Sequence, residues 1–191
     1  GVRVCALENL PCTIFVASAL ADVVPHWDTR ASAGRWSTAD RETFLLAQHG
    51  RAAHDPSGTS TGLQAARIAS ISEWQAVSKL RGVTIGNHST THANLGALTA
   101  EEAIEELVVN QRWLEHTFGD RVVIPVAAYP YGRAPEQAER VIAASGLRAG
   151  MMVEGGWIGA RRSLDPSRVP RWNVPSGVSL KGFTLRLRGR L

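Results

Sequence analysis

At 191 residues, 44% hydrophobic and 20% charged, the chain suits one soluble globular domain with a sizeable core, and it holds no low-complexity segment. No apolar run approaches the ~20 residues that span a bilayer. The net charge is +4, but the basic residues are scattered apart from Arg161–Arg162 and the tail Lys181, Arg186, Arg188 and Arg190; with no aromatic residues interleaved, a nucleic-acid surface is disfavoured and an anionic polysaccharide or membrane surface stays open.

Val2 to Leu10 reads as the end of a helix, which Pro11 stops. Cys12 to Val16 is short, apolar and rich in β-formers, as a buried strand is. Cys5 and Cys12 are expected to be small core fillers rather than a disulfide. From 21 to 71 the signal weakens. Trp27 and Trp36 punctuate a loop-like stretch, Ser37 or Thr38 caps a helix over Ala39 to Gln48, and His54 to Gly62 is loop; the region is expected to be an insertion lining one wall of a cleft. Ser72 then caps a helix over Glu73 to Leu80, closed by Gly82, and Val83 to Ile85 is a strand. Thr99 with Glu102 forms a capping box, and Ile104, Leu107, Val108 and Leu114 trace a helical face ending at Gly119. Val122 to Ala128 is a strand, Glu136 to Ser145 a helix closed by Gly146, and Leu147 to Val153 a strand; Leu180 to Leu187 fits either state. Alternating strands and helices predict an α/β fold, with βα units around a parallel sheet.

His88 and His92 follow the strand-like run Val83–Ile85. Four residues apart, they reach one ion if the backbone turns helically after the strand, since side chains at i and i+4 share a face. First-row divalent metals take neutral imidazole readily, and a catalytic site usually combines three protein ligands with one open position. Asn87, Ser89, Thr90 and Thr91 are candidates to fix the rings.

The run IGNHSTTHANL and the later AAYPYGRA, at Ala127 to Ala134, resemble the second and third motifs of the polysaccharide deacetylases, the NodB-homology or carbohydrate esterase family 4 enzymes. LPCTIFV at Leu10 to Val16 resembles the strand after that family's first motif, and VPRWNV at Val169 to Val174 a later segment of its exopolysaccharide-type members. The resemblance implies a distorted (β/α) barrel filling the chain as a single domain. It implies a divalent metal, usually zinc, held by one Asp and two His, and hydrolysis of an N- or O-acetyl group on a polysaccharide or sugar precursor. The partner is then an acetylated carbohydrate, in the cytoplasm or cell envelope of a bacterium.

Carried onto this chain, the resemblance makes His88 and His92 metal ligands. The ion would polarise the acetyl carbonyl and lower the pKa of its bound water toward ~7. Tyr131 falls where the family places a backbone N–H against the oxyanion of the reaction. Relatives often carry Arg three residues before this Tyr; here it is Ala128, and Arg171 is the candidate to supply that charge and orient a carboxylate. Trp157 and Trp172 are candidates to stack on sugar rings.

One departure is large. The family's Asp-Asp motif, source of the general base and the third metal ligand, is expected before Leu10, so the chain is read as lacking the first strand of the barrel. Asp22 and Asp28 stand outside that setting, as do His26, His49, His54 and His116. Two alternatives remain: an amidohydrolase acting on another non-peptide C–N bond, or a non-catalytic carbohydrate-binding relative.

Overall fold

The computed structural model describes residues 2–21, 69–155, 163–172, 174 and 178–188. Its centre is a sheet of five strands in the order of the chain: β1 (Cys12–Val16), β2 (Val83–Asn87), β3 (Val123–Ala128), β4 (Ala149–Gly155) and β5 (Val169–Arg171). Every neighbouring pair is parallel. A doubly wound sheet reverses its strand order at one point, whereas sequential parallel order is that of a (β/α) barrel. The expected α/β architecture is therefore present. Among the described residues β1 pairs only with β2, and β5 only with β4.

The helices are α1 (Val2–Leu7), α2 (Ile71–Ser78), α3 (Ala100–Phe118), α4 (Ala138–Ala144) and α5 (Leu180–Leu187). Parallel neighbours need long crossovers, and α2, α3 and α4 supply them ahead of β2, β3 and β4. Helix α3 starts at the expected box: Glu102 N donates to Thr99 Oγ1 at 3.3 Å and Thr99 N to Glu102 Oε2 at 3.0 Å. Helix α2 begins earlier than expected. Ser70, not Ser72, is its cap, because the reciprocal bonds of a capping box join residues three apart, and Glu73 fixes the partner: Glu73 N to Ser70 Oγ is 3.2 Å, Ser70 N to Glu73 Oε2 is 2.8 Å. The tail, ambiguous in sequence, is helical.

Helix α3 joins two halves of the core. Ala103 and Leu107 pack with Ala127, Tyr129, Val141 and Leu147, while Leu114 packs with Val16, Ile85 and Val123. Each fully buried Leu or Ile here contributes about 2 kcal/mol. Helix α1, by contrast, buries no residue, and Val4, Leu7 and Leu10 are exposed. Cys5 and Cys12 are free, half-buried thiols rather than core fillers. The expected insertion, with Trp27, Trp36 and the helix over 39–48, lies outside the described residues, as do Asp22, Asp28, His26, His49, His54, Trp157 and the pair Arg161–Arg162.

Candidate metal centre

The carboxyl ends of the strands present the polar residues. Asn87, the last residue of β2, is wholly buried and fully used: Nδ2 donates to Leu107 O (2.8 Å) and Gln111 Oε1 (3.2 Å), while Oδ1 accepts from Ser89 N (3.0 Å) and Asn110 Nδ2 (2.9 Å). Asn110, on the inner face of α3, also donates to Val16 O at 2.8 Å and accepts from Ser18 N at 3.0 Å. Val16 O accepts a second bond, from His88 N at 3.1 Å. Two buried asparagines thus tie the ends of β1 and β2 to α3 directly beneath His88.

His88 is half-buried, and its Nδ1 donates to Ala128 O at 2.6 Å. A carbonyl only accepts, so the proton sits on Nδ1 and the lone pair on Nε2. The position where relatives carry an Arg is therefore used through its main chain. Burial is the main reason the His88 pKa lies below the ordinary histidine value; the Ala128 bond opposes this, and the charge of Arg171 adds to it.

The expected helical turn between the two histidines does not form. Ser89 and His92 adopt φ of 61° and 60°, and the chain loops instead. The loop nonetheless brings the rings to 4.7 Å between centroids at 79°. Neither Asn87 nor the threonines fix the rings; they fix the loop. Glu106 of α3 accepts from Thr90 N (3.0 Å), Thr91 N (2.9 Å) and Thr91 Oγ1 (3.0 Å), and its carbonyl accepts from Thr90 Oγ1 at 2.9 Å. Ser89 Oγ accepts from Ala93 N at 3.2 Å. The His92 pKa is held down to about 3, first by burial and then by neighbouring His88.

Tyr131 stands on the other side of His92, ring centroids 4.9 Å apart, in a short turn that follows β3. Its φ is 56°, and burial raises its phenol pKa to about 12, so it keeps its proton at neutral pH. The preceding Tyr129 is fully buried and donates to Ser167 O at 2.6 Å. Space here is exhausted: a Cβ on Gly150 would collide with the hydroxyl end of Tyr129, and one on Gly132, at φ 69°, would collide with Val153.

Arg171, the last residue of β5, donates from Nε to Met152 O at 2.6 Å and lies 5.7 Å above the Phe15 ring. No carboxylate pairs with it among the described residues. The structure thus gathers His88, His92, Tyr131 and Arg171 on one end of the sheet. Asn110 and Glu106 escape sequence reasoning.

Two neutral imidazoles in contact, one with its tautomer fixed by a carbonyl, suit a first-row divalent ion. No third His, Cys, Asp or Glu joins them among the described residues.

The fold and site define an α/β protein whose parallel strands end in a paired-imidazole centre. The chain belongs to the polysaccharide deacetylase family, whose model matches residues 8–150. Members of this family generally use a divalent metal. Among solved structures it is similar to the deacetylase PplD of Streptococcus pyogenes in complex with acetate, at 12% identity and TM-score 0.63 over 97% of this chain and 62% of that one. It is also similar to IcaB from Ammonifex degensii, at 12% and 0.59 over 100% and 66%, and to the BpsB deacetylase domain of Bordetella bronchiseptica, at 13% and 0.55 over 90% and 64%. At these identities the likeness is one of fold. The chain spans less than two thirds of the length of each. No curated protein sequence matches it.

Proposed function

We propose that the protein is a metal-dependent hydrolase that removes acetyl groups from a polysaccharide or sugar precursor, as one domain over 1–191, with His88 and His92 as two ligands of zinc or another first-row divalent ion. The observation that carries this reading is the pair of half-buried, neutral imidazoles 4.7 Å apart. A bound ion of this kind supplies Lewis acidity and a water of lowered pKa.

The chain's own residues then orient and exclude. Ala128 O turns the lone pair of His88 Nε2 outward, the Asn87–Asn110 network fixes the main chain that carries His88, and Tyr131 closes one side against water. The main-chain N–H of Tyr131 is assigned to the developing oxyanion, a contribution of about 3 kcal/mol for a preorganised donor. Arg171, held by Met152 O, keeps positive charge beside His88 and is assigned to orient the carboxylate of the general base.

The test is zinc titration of the full-length protein, with acetate release from acetylated chito-oligosaccharides measured alongside. Zinc should bind and support acetate release. His88→Ala and His92→Ala should each weaken binding beyond the ~10–100-fold typical of changes around, rather than in, a ligand set. Unchanged zinc affinity in both variants would overturn the assignment.

A further inference from the structure

Beside Tyr131 lies a cavity of about 410 Å³, within the ~300–1,000 Å³ of small-ligand sites. Its walls come from the turn after β3, the turn after the His loop and the end of β4, and they include Asn94, Gly96, Tyr131, Arg133, Met152 and Arg168. The described residues that line it include two arginines and no carboxylate. Neither guanidinium pairs with an acid among the described residues.

Arg168 is held in place: its Nη2 donates to Pro135 O at 2.9 Å and Glu136 O at 3.0 Å, which leaves the other guanidinium donors for a ligand. The nearby Asp165 carboxylate is taken by Ser167, accepting from its N at 2.8 Å and Oγ at 2.7 Å. The walls are close-packed. A Cβ on Gly96 would crowd Ala134 O and the Arg133 side chain at 3.2 Å, so the two turns meet main chain to main chain. Two cations, one of them oriented, in a cavity lined by no carboxylate among the described residues favour an anion, and a guanidinium meets a planar carboxylate with two parallel hydrogen bonds.

We propose that this cavity is a subsite for the carboxylate of an acidic sugar, a uronic acid adjoining the acetylated residue, read by Arg133 and Arg168. The proposal rests on the deacetylase reading for the acetylated neighbour, but its binding test does not require turnover.

Binding is measured by calorimetry on the His88→Ala variant, with an oligosaccharide alternating N-acetylglucosamine and glucuronate against a neutral chito-oligosaccharide of equal length. The acidic ligand should bind about 10-fold tighter at low salt, and the preference should shrink as salt screens it. Arg133→Gln and Arg168→Gln should each remove most of that preference without altering affinity for the neutral ligand, whereas Arg133→Lys should keep part of it. Arg133 makes no side-chain hydrogen bond among the described residues, so its variant tests the subsite without disturbing the fold. Equal binding of the two ligands, a preference insensitive to both substitutions, or stronger competition by inorganic phosphate than by free glucuronate would overturn the proposal. A preference without acetate release from either ligand by the unmutated protein would uphold the subsite and sink the deacetylase reading; release without preference would do the reverse.

Discussion

The loop after β2 and the turn after β3 each set a side chain of the site at positive φ, His92 at 60° and Tyr131 at 56°, yet different forces hold them. The first is secured by hydrogen bonds, with Asn87, Asn110 and Glu106 reaching up from beneath. The second is secured by volume: Tyr129 fills the space a side chain at 150 would need, and Val153 fills the space beside Gly132. A left-handed residue that is not glycine costs roughly 1–2 kcal/mol, so each segment needs such support. Ligand loops built on polar bonds should tolerate changes of size and fail on loss of donors, and the tight turn the reverse.

The sharpest way to break the contrast is at the turn. Gly132→Ala combines an unfavourable φ with a collision against Val153, and should cost about 3–4 kcal/mol in urea unfolding. A cost under 1 kcal/mol would show that the turn yields easily.

At the polar loop, Asn110→Leu keeps the volume but strips Val16 O, Ser18 N and Asn87 Oδ1 of a partner, and should cost about 2–4 kcal/mol. Adding Asn87→Leu should cost less than the two single losses summed, since the second deletion removes a group already orphaned. Strict additivity would mean the two amides act separately.

Much of this contrast could not be read in advance. The βα alternation was legible because capping boxes and β-branched runs are local signals, and Thr99 with Glu102 begins α3 where expected. Ser70 is hidden in the sequence because two serines compete and only the reach of Glu73 decides between them. The histidines were legible by spacing, but for a different reason than the one that operates: no helix joins them, and the bonds that hold their loop come from α3, more than ten residues away in sequence. Glu106 and Asn110 look like ordinary polar residues of an amphipathic helix, since nothing local marks which of them turn inward. Arg171 was found through its motif, while Arg168, three residues earlier, carried no signal.

A smaller effect follows from burial of the rings. In the metal-free protein, with chelator present, His92 titrates near 3 when folded and near the ordinary 6.5 when unfolded. Between those values only the unfolded chain binds the proton, so stability is complete above pH 6.5 and falls as the pH falls. Between pH 6.5 and 5 His92 should account for a loss of about 1.5 kcal/mol, and His92→Gln should make that part of the profile shallower, leaving the share that His88 contributes. An equally steep fall in the variant would place the acid sensitivity elsewhere.

The mildest change is Glu106→Gln. The amide keeps the acceptor for Thr90 N and Thr91 N but loses the charge that strengthens both bonds, so about 1 kcal/mol should be lost. Faster amide hydrogen exchange at 90–91, with the rest of α3 unaffected, would locate that loss in the loop.

The Val16 carbonyl, which accepts from both His88 N and Asn110 Nδ2, joins segments of chain 94 residues apart in the second case. Such a junction closes only after two βα crossovers have docked, which places it late on the folding route. Once closed, it resists opening more than it hastens closing. Cutting it should therefore shorten the lifetime of the folded state while leaving the refolding rate almost untouched, making persistence in time, rather than speed of assembly, what this oxygen contributes.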